Sequence, residues 1–143
     1  MTLSLLYGDC QKPVNGMTRF EKLVFLTQEE ILKEKHETMT SGDFEFEPDR
    51  FGPLSTELYD QLAYLESSSI IKKDQNNSYV LTARGREFVE RIVLPRVPNS
   101  IVKSIEQLKQ KWGNAELTSL LKYVYRQFPS CAVKSEIRDR IMR

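Results

Sequence analysis

The sequence has few of the residues that enzymes and metal sites use most. Among its 143 residues there is one histidine, His36, and there are two cysteines, Cys10 and Cys131. No glycine-rich phosphate loop, His-Glu-x-x-His, Cys-x-x-Cys or nucleophile-elbow motif occurs. Because His36 has no partner motif nearby, we favour a solvated helix terminus over a catalytic or ligand role. We therefore expect a non-enzymatic protein with no cofactor and no bound metal.

Long apolar runs are also missing. No stretch approaches the roughly 20 apolar residues that cross a bilayer. The first residues, 1–7, lack the positively charged start and long apolar core of a signal peptide. Cys10 and Cys131 lie far apart in sequence, so two reduced thiols are favoured over a disulfide or a redox switch. These patterns predict a cytoplasmic protein with no membrane partner.

The charges are unevenly distributed along the chain. The formal net charge is +1, with 40% hydrophobic and 29% charged residues, as in ordinary globular domains. Residues 1–92 hold 11 basic and 16 acidic side chains, a net of −5, whereas residues 93–143 hold 10 and 4, a net of +6. We expect an acidic and a basic face, which lie on opposite sides of the protein or pair across a dimer.

The stretch from residue 51 to residue 92 predicts a helix, a two-stranded hairpin and a second helix. Ser55 and Thr82 are candidate N-caps. Between them, a polar turn separates two short apolar strands at Ile70-Ile71 and residues 79–81. The first helix has an apolar face at helical spacing, formed by Leu54, Leu58, Leu62 and Leu65. This order predicts a winged helix.

Two further regions complete the predicted architecture. Thr18 and Glu21 form a candidate capping box at the start of a helix that is apolar almost all round, as is typical of a central core helix. Two prolines predict a linker over residues 94–99. We expect a mainly α (α+β) protein: a winged helix-turn-helix domain with a two-stranded wing at residues 1–93, and a C-terminal helical hairpin at 100–143. The hairpin is a candidate dimerisation element for a homodimer.

A winged helix suggests a DNA-binding transcriptional regulator. Its wing contacts phosphates beside the groove that the recognition helix enters. Candidate contacts to double-stranded DNA on the wing and just after it are Lys72, Lys73, Gln75, Asn76, Asn77, Arg84 and Arg86. Any exposed hairpin is polar, so a purely solvated wing is an equal alternative. The C-terminal basic residues are likewise either a solvated face or a surface for phosphates or an acidic partner.

The helix in the recognition position argues against groove insertion. It exposes Glu57, Asp60 and Glu66 and contains no lysine or arginine, although binding to a polyanion needs cations. The alternative function is a protein-interaction or antitoxin-like module that meets a partner protein through Glu57, Asp60 and Tyr64. A second acidic set at residues 45–49 could suggest a metal cluster, but a solvated strand face is the better interpretation.

Three blocks of the sequence carry a family resemblance. They are Thr18-Arg19-Phe20-Glu21-Lys22-Leu23-Val24-Phe25-Leu26, Phe51-Gly52-Pro53-Leu54-Ser55-Thr56-Glu57-Leu58 and Tyr79-Val80-Leu81-Thr82-Ala83-Arg84-Gly85-Arg86. The arrangement resembles small YwgA-like winged-helix proteins and, more distantly, the SocA-like antitoxin (Panacea) domain. The first likeness implies transcriptional regulation, and the second implies neutralising or presenting a partner protein. Neither implies catalytic residues.

Overall fold

The structure, a computed structural model, describes residues 1–33, 44–49 and 52–132. These are mainly helical, with two small antiparallel sheets of two strands each, which confirms the mainly α class. His36 lies outside the described residues. In chain order the helices and strands are α1 (Thr2–Gln11), α2 (Met17–Leu26), β1 (Glu47–Asp49), β2 (Gly52–Leu54), α3 (Thr56–Ser67), β3 (Ile71–Lys73), β4 (Tyr79–Leu81), α4 (Ala83–Phe88), α5 (Asn99–Trp112) and α6 (Leu117–Gln127).

Helix α2 lies at the centre of the core, as predicted. Every residue from Phe20 to Leu26 is buried, and the helix continues as a π-helical turn over Thr27–Leu32. The capping-box prediction is wrong, because the helix begins one residue before Thr18 and has no side-chain cap. Glu21 is buried and accepts a hydrogen bond from the hydroxyl of Tyr59 at 2.9 Å, so its carboxylate binds a tertiary partner instead.

The caps of α3 and α4 are confirmed. The Oγ of Ser55 accepts a hydrogen bond from the backbone N–H of Leu58 at 3.3 Å, and the Oγ1 of Thr82 accepts one from that of Gly85 at 2.9 Å. Leu58 and Leu62 point into the core. Between the two helices β3 and β4 pair antiparallel, with Lys72 opposite Val80. The predicted helix, hairpin and helix are therefore all present.

The C-terminal hairpin shares the core of the N-terminal part. Helix α5 packs on α1, and α6 packs on α2. Their apolar faces are buried, including Ile101, Ile105, Leu120 and Val124. The predicted linker is short and partly helical: Leu94–Arg96 form a 3₁₀ turn, and Val97 is buried. A proline fits there because the first helical turn needs no N–H donor at that position.

In the described ranges, no helix is long and apolar enough to cross a bilayer.

Candidate functional site

The two lysines of the hairpin point to opposite faces of its ribbon. Side chains alternate along a strand, so Lys72 shares a face with Val80 and Lys73 shares one with Tyr79. The Nζ of Lys73 lies 5.4 Å from the centroid of the Tyr79 ring. The hydroxyl of Tyr79 in turn donates to Glu66 of α3 at 3.5 Å. Lys73 therefore lies towards the acidic helix, and Lys72 faces away from it.

The hairpin tip is an ordered turn that presents amide side chains. The carboxylate of Asp74 accepts hydrogen bonds from the backbone N–H groups of Asn76 at 2.9 Å and Ser78 at 3.0 Å. Asn77 has a φ of 62°, a left-handed conformation that asparagine tolerates well. Gln75, Asn76 and Asn77 are all exposed. Their donors are free to reach an acceptor beside the hairpin.

The side chains of Arg84 and Arg86 lie on different sides of α4. Side chains two positions apart on a helix are separated by a rotation of about 200° about the helix axis. Arg84 lines a groove that also contains Tyr64. Arg86 lies on the side of Tyr7, whose pKa is raised by burial and by the charge and hydrogen bond of Glu90, an effect that the charge of Arg86 opposes. The four cations proposed to contact DNA therefore do not form one continuous face.

The exposed face of α3 carries the predicted partner-binding residues. Glu57, Asp60 and Tyr64 are spaced by three and four positions, which places them along one side of the helix, and all three are exposed. The Oε1 of Glu57 accepts a hydrogen bond from the backbone N–H of Glu45 at 3.1 Å. That contact brings the acidic segment before β1 against α3. Tyr64 is 70% exposed.

A groove of about 460 Å³ lies between the end of α3 and α4. Helix α4 continues as a π-helical turn over Val89–Val93, and we call the two together the α4 wall. Arg84, Glu87 and Arg91 line the groove on this wall, and Arg91 pairs with Glu87 at 3.1 Å. Its apolar lining is Tyr64, Leu65, Ile70, Phe88 and Ile92. We call these eight residues the α3–α4 face. Of this set, only Tyr64 and Arg84 were predicted as site residues, because no motif marks the others as functional.

Two lysines are buried, although no pattern in the sequence predicts it. Lys22 is 1% exposed, and its Nζ donates to the carbonyl of Pro53 at 2.9 Å and lies 3.9 Å from Glu21. This contact joins α2 to the segment just before α3. Lys109, assigned to the C-terminal basic surface, is 2% exposed and donates to the carbonyls of Leu6 and Gly8 at 3.3 and 2.7 Å. The prediction that Lys109 belongs to the basic surface of the C-terminal helices is therefore wrong.

The side chains of the described residues contain no group of three His, Cys, Asp or Glu residues that could hold a metal ion. Glu45 and Glu47 are exposed. Comparisons with family models, curated proteins and solved structures give no match to this chain.

Proposed function

We propose that this chain is a non-enzymatic winged-helix protein that binds a protein partner through the α3–α4 face. The order of α3, the β3–β4 hairpin and α4 corresponds to the recognition helix, the wing and the helix after it. The family resemblance supports the same arrangement, and the likeness to the SocA-like domain favours a protein partner.

One observation carries the proposal: exposed apolar side chains concentrate in one groove. Five large apolar side chains are exposed in the described part of the chain, and three of them, Tyr64, Phe88 and Ile92, line the α3–α4 face. Burying apolar surface releases roughly 25 cal/mol per Å². Contiguous apolar patches with a polar rim are typical of protein interaction sites. The groove has this composition, with an apolar lining and arginines beside it.

The charges of α3 favour a protein partner over a DNA groove. Its residues 56–67 include Glu57, Asp60 and Glu66 but no lysine or arginine. Each exposed carboxylate is repelled by phosphates, and the release of counterions that drives DNA binding requires cations at the contact. A protein partner can instead pair these carboxylates with its own basic residues.

A pull-down with matched variants tests this function. We expect Ile92→Asp to lose a protein that the wild-type chain captures from cell extract, because a carboxylate in an apolar contact is not solvated. Leu117→Asp is the control, since Leu117 is 36% exposed and Ile92 is 42% exposed, but Leu117 lies on α6. The purified partner should then bind Ile92→Asp at least about tenfold more weakly than wild type. Identical captured proteins for all three chains would refute the proposal.

A second candidate is contact with the DNA backbone through the hairpin. It is favoured by the exposure of Lys72 on the face away from α3 and by the exposed amides of the ordered tip. Fluorescence anisotropy with random duplex DNA across a salt series tests it. We expect binding that weakens with salt and weakens further in Lys72→Glu but not in Lys103→Glu, an exposed lysine of α5. Absence of binding at low salt would remove this candidate.

A further inference from the structure

We infer that the partner at the α3–α4 face is a second copy of this chain, held in a two-fold symmetric dimer. The inference rests on the proposed function and names the partner. It follows from the distribution of charge and apolar surface on the two walls of the groove.

The two walls carry complementary groups. Tyr64 lies on the α3 wall, and Asp60, which lies beside the groove and does not line it, is one turn before Tyr64 on the same exposed side of the helix. The α4 wall carries two arginines, Arg84 and Arg91, and one glutamate, Glu87, so it is net basic; it also carries the apolar side chains of Phe88 and Ile92. A patch with a carboxylate beside one wall and a net basic second wall can be complementary to itself.

Two-fold symmetry turns this arrangement into a matched interface. A two-fold axis running along the groove places the α3 wall of one copy against the α4 wall of the other. Asp60 beside each α3 wall then meets the net basic α4 wall of the other copy, and the same contact occurs twice. A two-fold axis across the groove would instead place the same wall of the two copies face to face, so like charges would meet. The charge pattern therefore favours the axis that runs along the groove.

The side chains on the two walls suit such a contact. Tyr64 is 70% exposed, so its ring projects far enough to cover apolar surface on the opposing copy. An arginine above a tyrosine ring gains a cation–π attraction, and a guanidinium binds a carboxylate through two parallel hydrogen bonds. Arg84 forms no ion pair within the described ranges. Arg91 pairs with Glu87, but a guanidinium has five N–H donors and retains some for a partner.

The helices first considered for dimerisation offer little apolar surface. The apolar sides of α5 and α6 are buried against α1 and α2. Among their described side chains, Leu117 is the only large hydrophobic that is exposed. An isologous interface needs a self-complementary apolar patch, and the α3–α4 face provides the larger one.

Sedimentation velocity of the full chain tests the dimer and its location. Over about 1 to 200 µM we expect a monomer–dimer equilibrium, since two small patches give a modest affinity. Ile92→Asp should raise the dimer dissociation constant at least about tenfold, and Leu117→Asp should leave it unchanged. Circular dichroism of each variant checks that the fold is retained.

A charge exchange tests the orientation. Asp60→Arg alone, and Arg84→Asp with Arg91→Asp, should each be monomeric where the wild type is dimeric, because like charges then face each other in both contacts. An equimolar mixture of the two should recover the dimer, since opposite charges again face each other.

Three results would overturn the inference: a wild-type monomer throughout, a dimer that all these variants preserve, or a mixture that stays monomeric. If the wild type is monomeric while Ile92→Asp still loses a captured protein, the self-association is wrong and the proposed function stands.

Discussion

Two buried lysines donate hydrogen bonds to backbone carbonyls and thereby fix the positions of other segments. Lys22 binds the carbonyl of Pro53 just before α3, and Lys109 binds two carbonyls at the end of α1. After these carbonyls, Asp9, Cys10 and Gln11 have φ values of 52°, 57° and 60°. A left-handed conformation costs about 1–2 kcal/mol per residue. The hydrogen bonds from Lys109 to the carbonyls just before this left-handed turn help to hold the turn in place.

We predict that Lys109 makes the stability of the protein rise with pH. Burial lowers its pKa from 10.5 to about 8, and the charge of Asp9 only partly opposes this. Because the folded state releases the proton before the unfolded state does, the free energy of unfolding should increase above about pH 8, by up to about 1.4 kcal/mol per pH unit. Burial also lowers the pKa of the amino terminus of Met1 from 8.0 to about 5, which adds to the slope at lower pH. Urea unfolding between about pH 8.5 and pH 9.5 therefore measures the slope due to Lys109.

The variant Lys109→Met should lose this rise, whereas Lys103→Met, an exposed lysine on the same helix, should retain it. Measurements should stay below about pH 10, the ordinary pKa of tyrosine. Burial and the hydrogen bond with Glu30 raise the pKa of Tyr123 to about 12, so its folded phenol stays neutral and stability falls again at higher pH. Equal slopes for wild type and Lys109→Met would contradict the role of Lys109.

At the residue scale, the sequence predicted local contacts and missed distant ones. Ser55 and Thr82 cap their helices through an N–H three residues away, so the pattern alone is sufficient. Lys109 instead binds carbonyls that lie 103 and 101 positions away in the chain. Its burial depends on which helices pack together, and its position in a lysine-rich segment suggested the opposite.

Among the helices and strands, the junction between β3 and α4 determines the shape of the groove. The hydroxyl of Thr82 donates to the carbonyl of Ser69 at 2.6 Å, which ties the start of α4 to the turn after α3. At Gly85 the helix touches the same segment: a Cβ there would lie 1.9 Å from the carbonyl oxygen of Ile70. The close approach of α4 therefore requires a glycine at this position.

We predict that Gly85→Ala destabilises the fold by about 3 kcal/mol, because the added methyl group must displace backbone atoms. Gly16→Ala is the control: Gly16 has a φ of 86°, but no atom lies within 4 Å of a Cβ there, so only backbone strain of about 1 kcal/mol is expected. Urea unfolding measures both. Gly85→Ala should also weaken the dimer that we propose, because it moves α4 relative to α3. Equal effects of the two substitutions on stability would show that contact with Ile70 does not matter.

Periodicity predicted most of these helices and strands but not all of their exposed faces. The apolar spacing of α3 identified Leu58 and Leu62 as core residues, and both are buried. Phe88 and Ile92 have the same apolar character in the sequence, yet they are 39% and 42% exposed. Which apolar residues of α4 and of the turn after it face the core depends on where Gly85 contacts Ile70. A single helical pattern does not contain that information, so the groove was missed.

At the scale of the whole molecule, the N- and C-terminal parts form one packing unit. The helices pair across the chain, α1 with α5 and α2 with α6, and the hydroxyl of Tyr123 on α6 donates to Glu30 in the π-helical turn after α2. The opposite net charges of the two halves of the sequence therefore belong to segments that share a core. A proline-containing connection alone does not define a domain boundary, because the packing on either side decides whether the segments are independent.

We predict that the protein unfolds in a single cooperative transition. Trp112 is the only tryptophan, and its ring packs 5.0 Å from that of Tyr123, so its fluorescence reports on the contact between α5 and α6. Far-UV circular dichroism reports on all helices. Because the two parts share a core, the unfolding curves from both signals should coincide in urea.

The variant Leu23→Ala tests whether a change in the N-terminal part also destabilises the C-terminal hairpin. Leu23 lies in α2 and is 0% exposed, so its truncation should destabilise the protein by about 2–5 kcal/mol. If the core is shared, the fluorescence midpoint of Trp112 moves to lower urea together with the circular dichroism midpoint, although the substitution lies in the N-terminal part. An unchanged Trp112 midpoint would mean that the C-terminal hairpin unfolds by itself. Residues 100–143 would then be an independent domain, and the pairing of α2 with α6 would add little to stability.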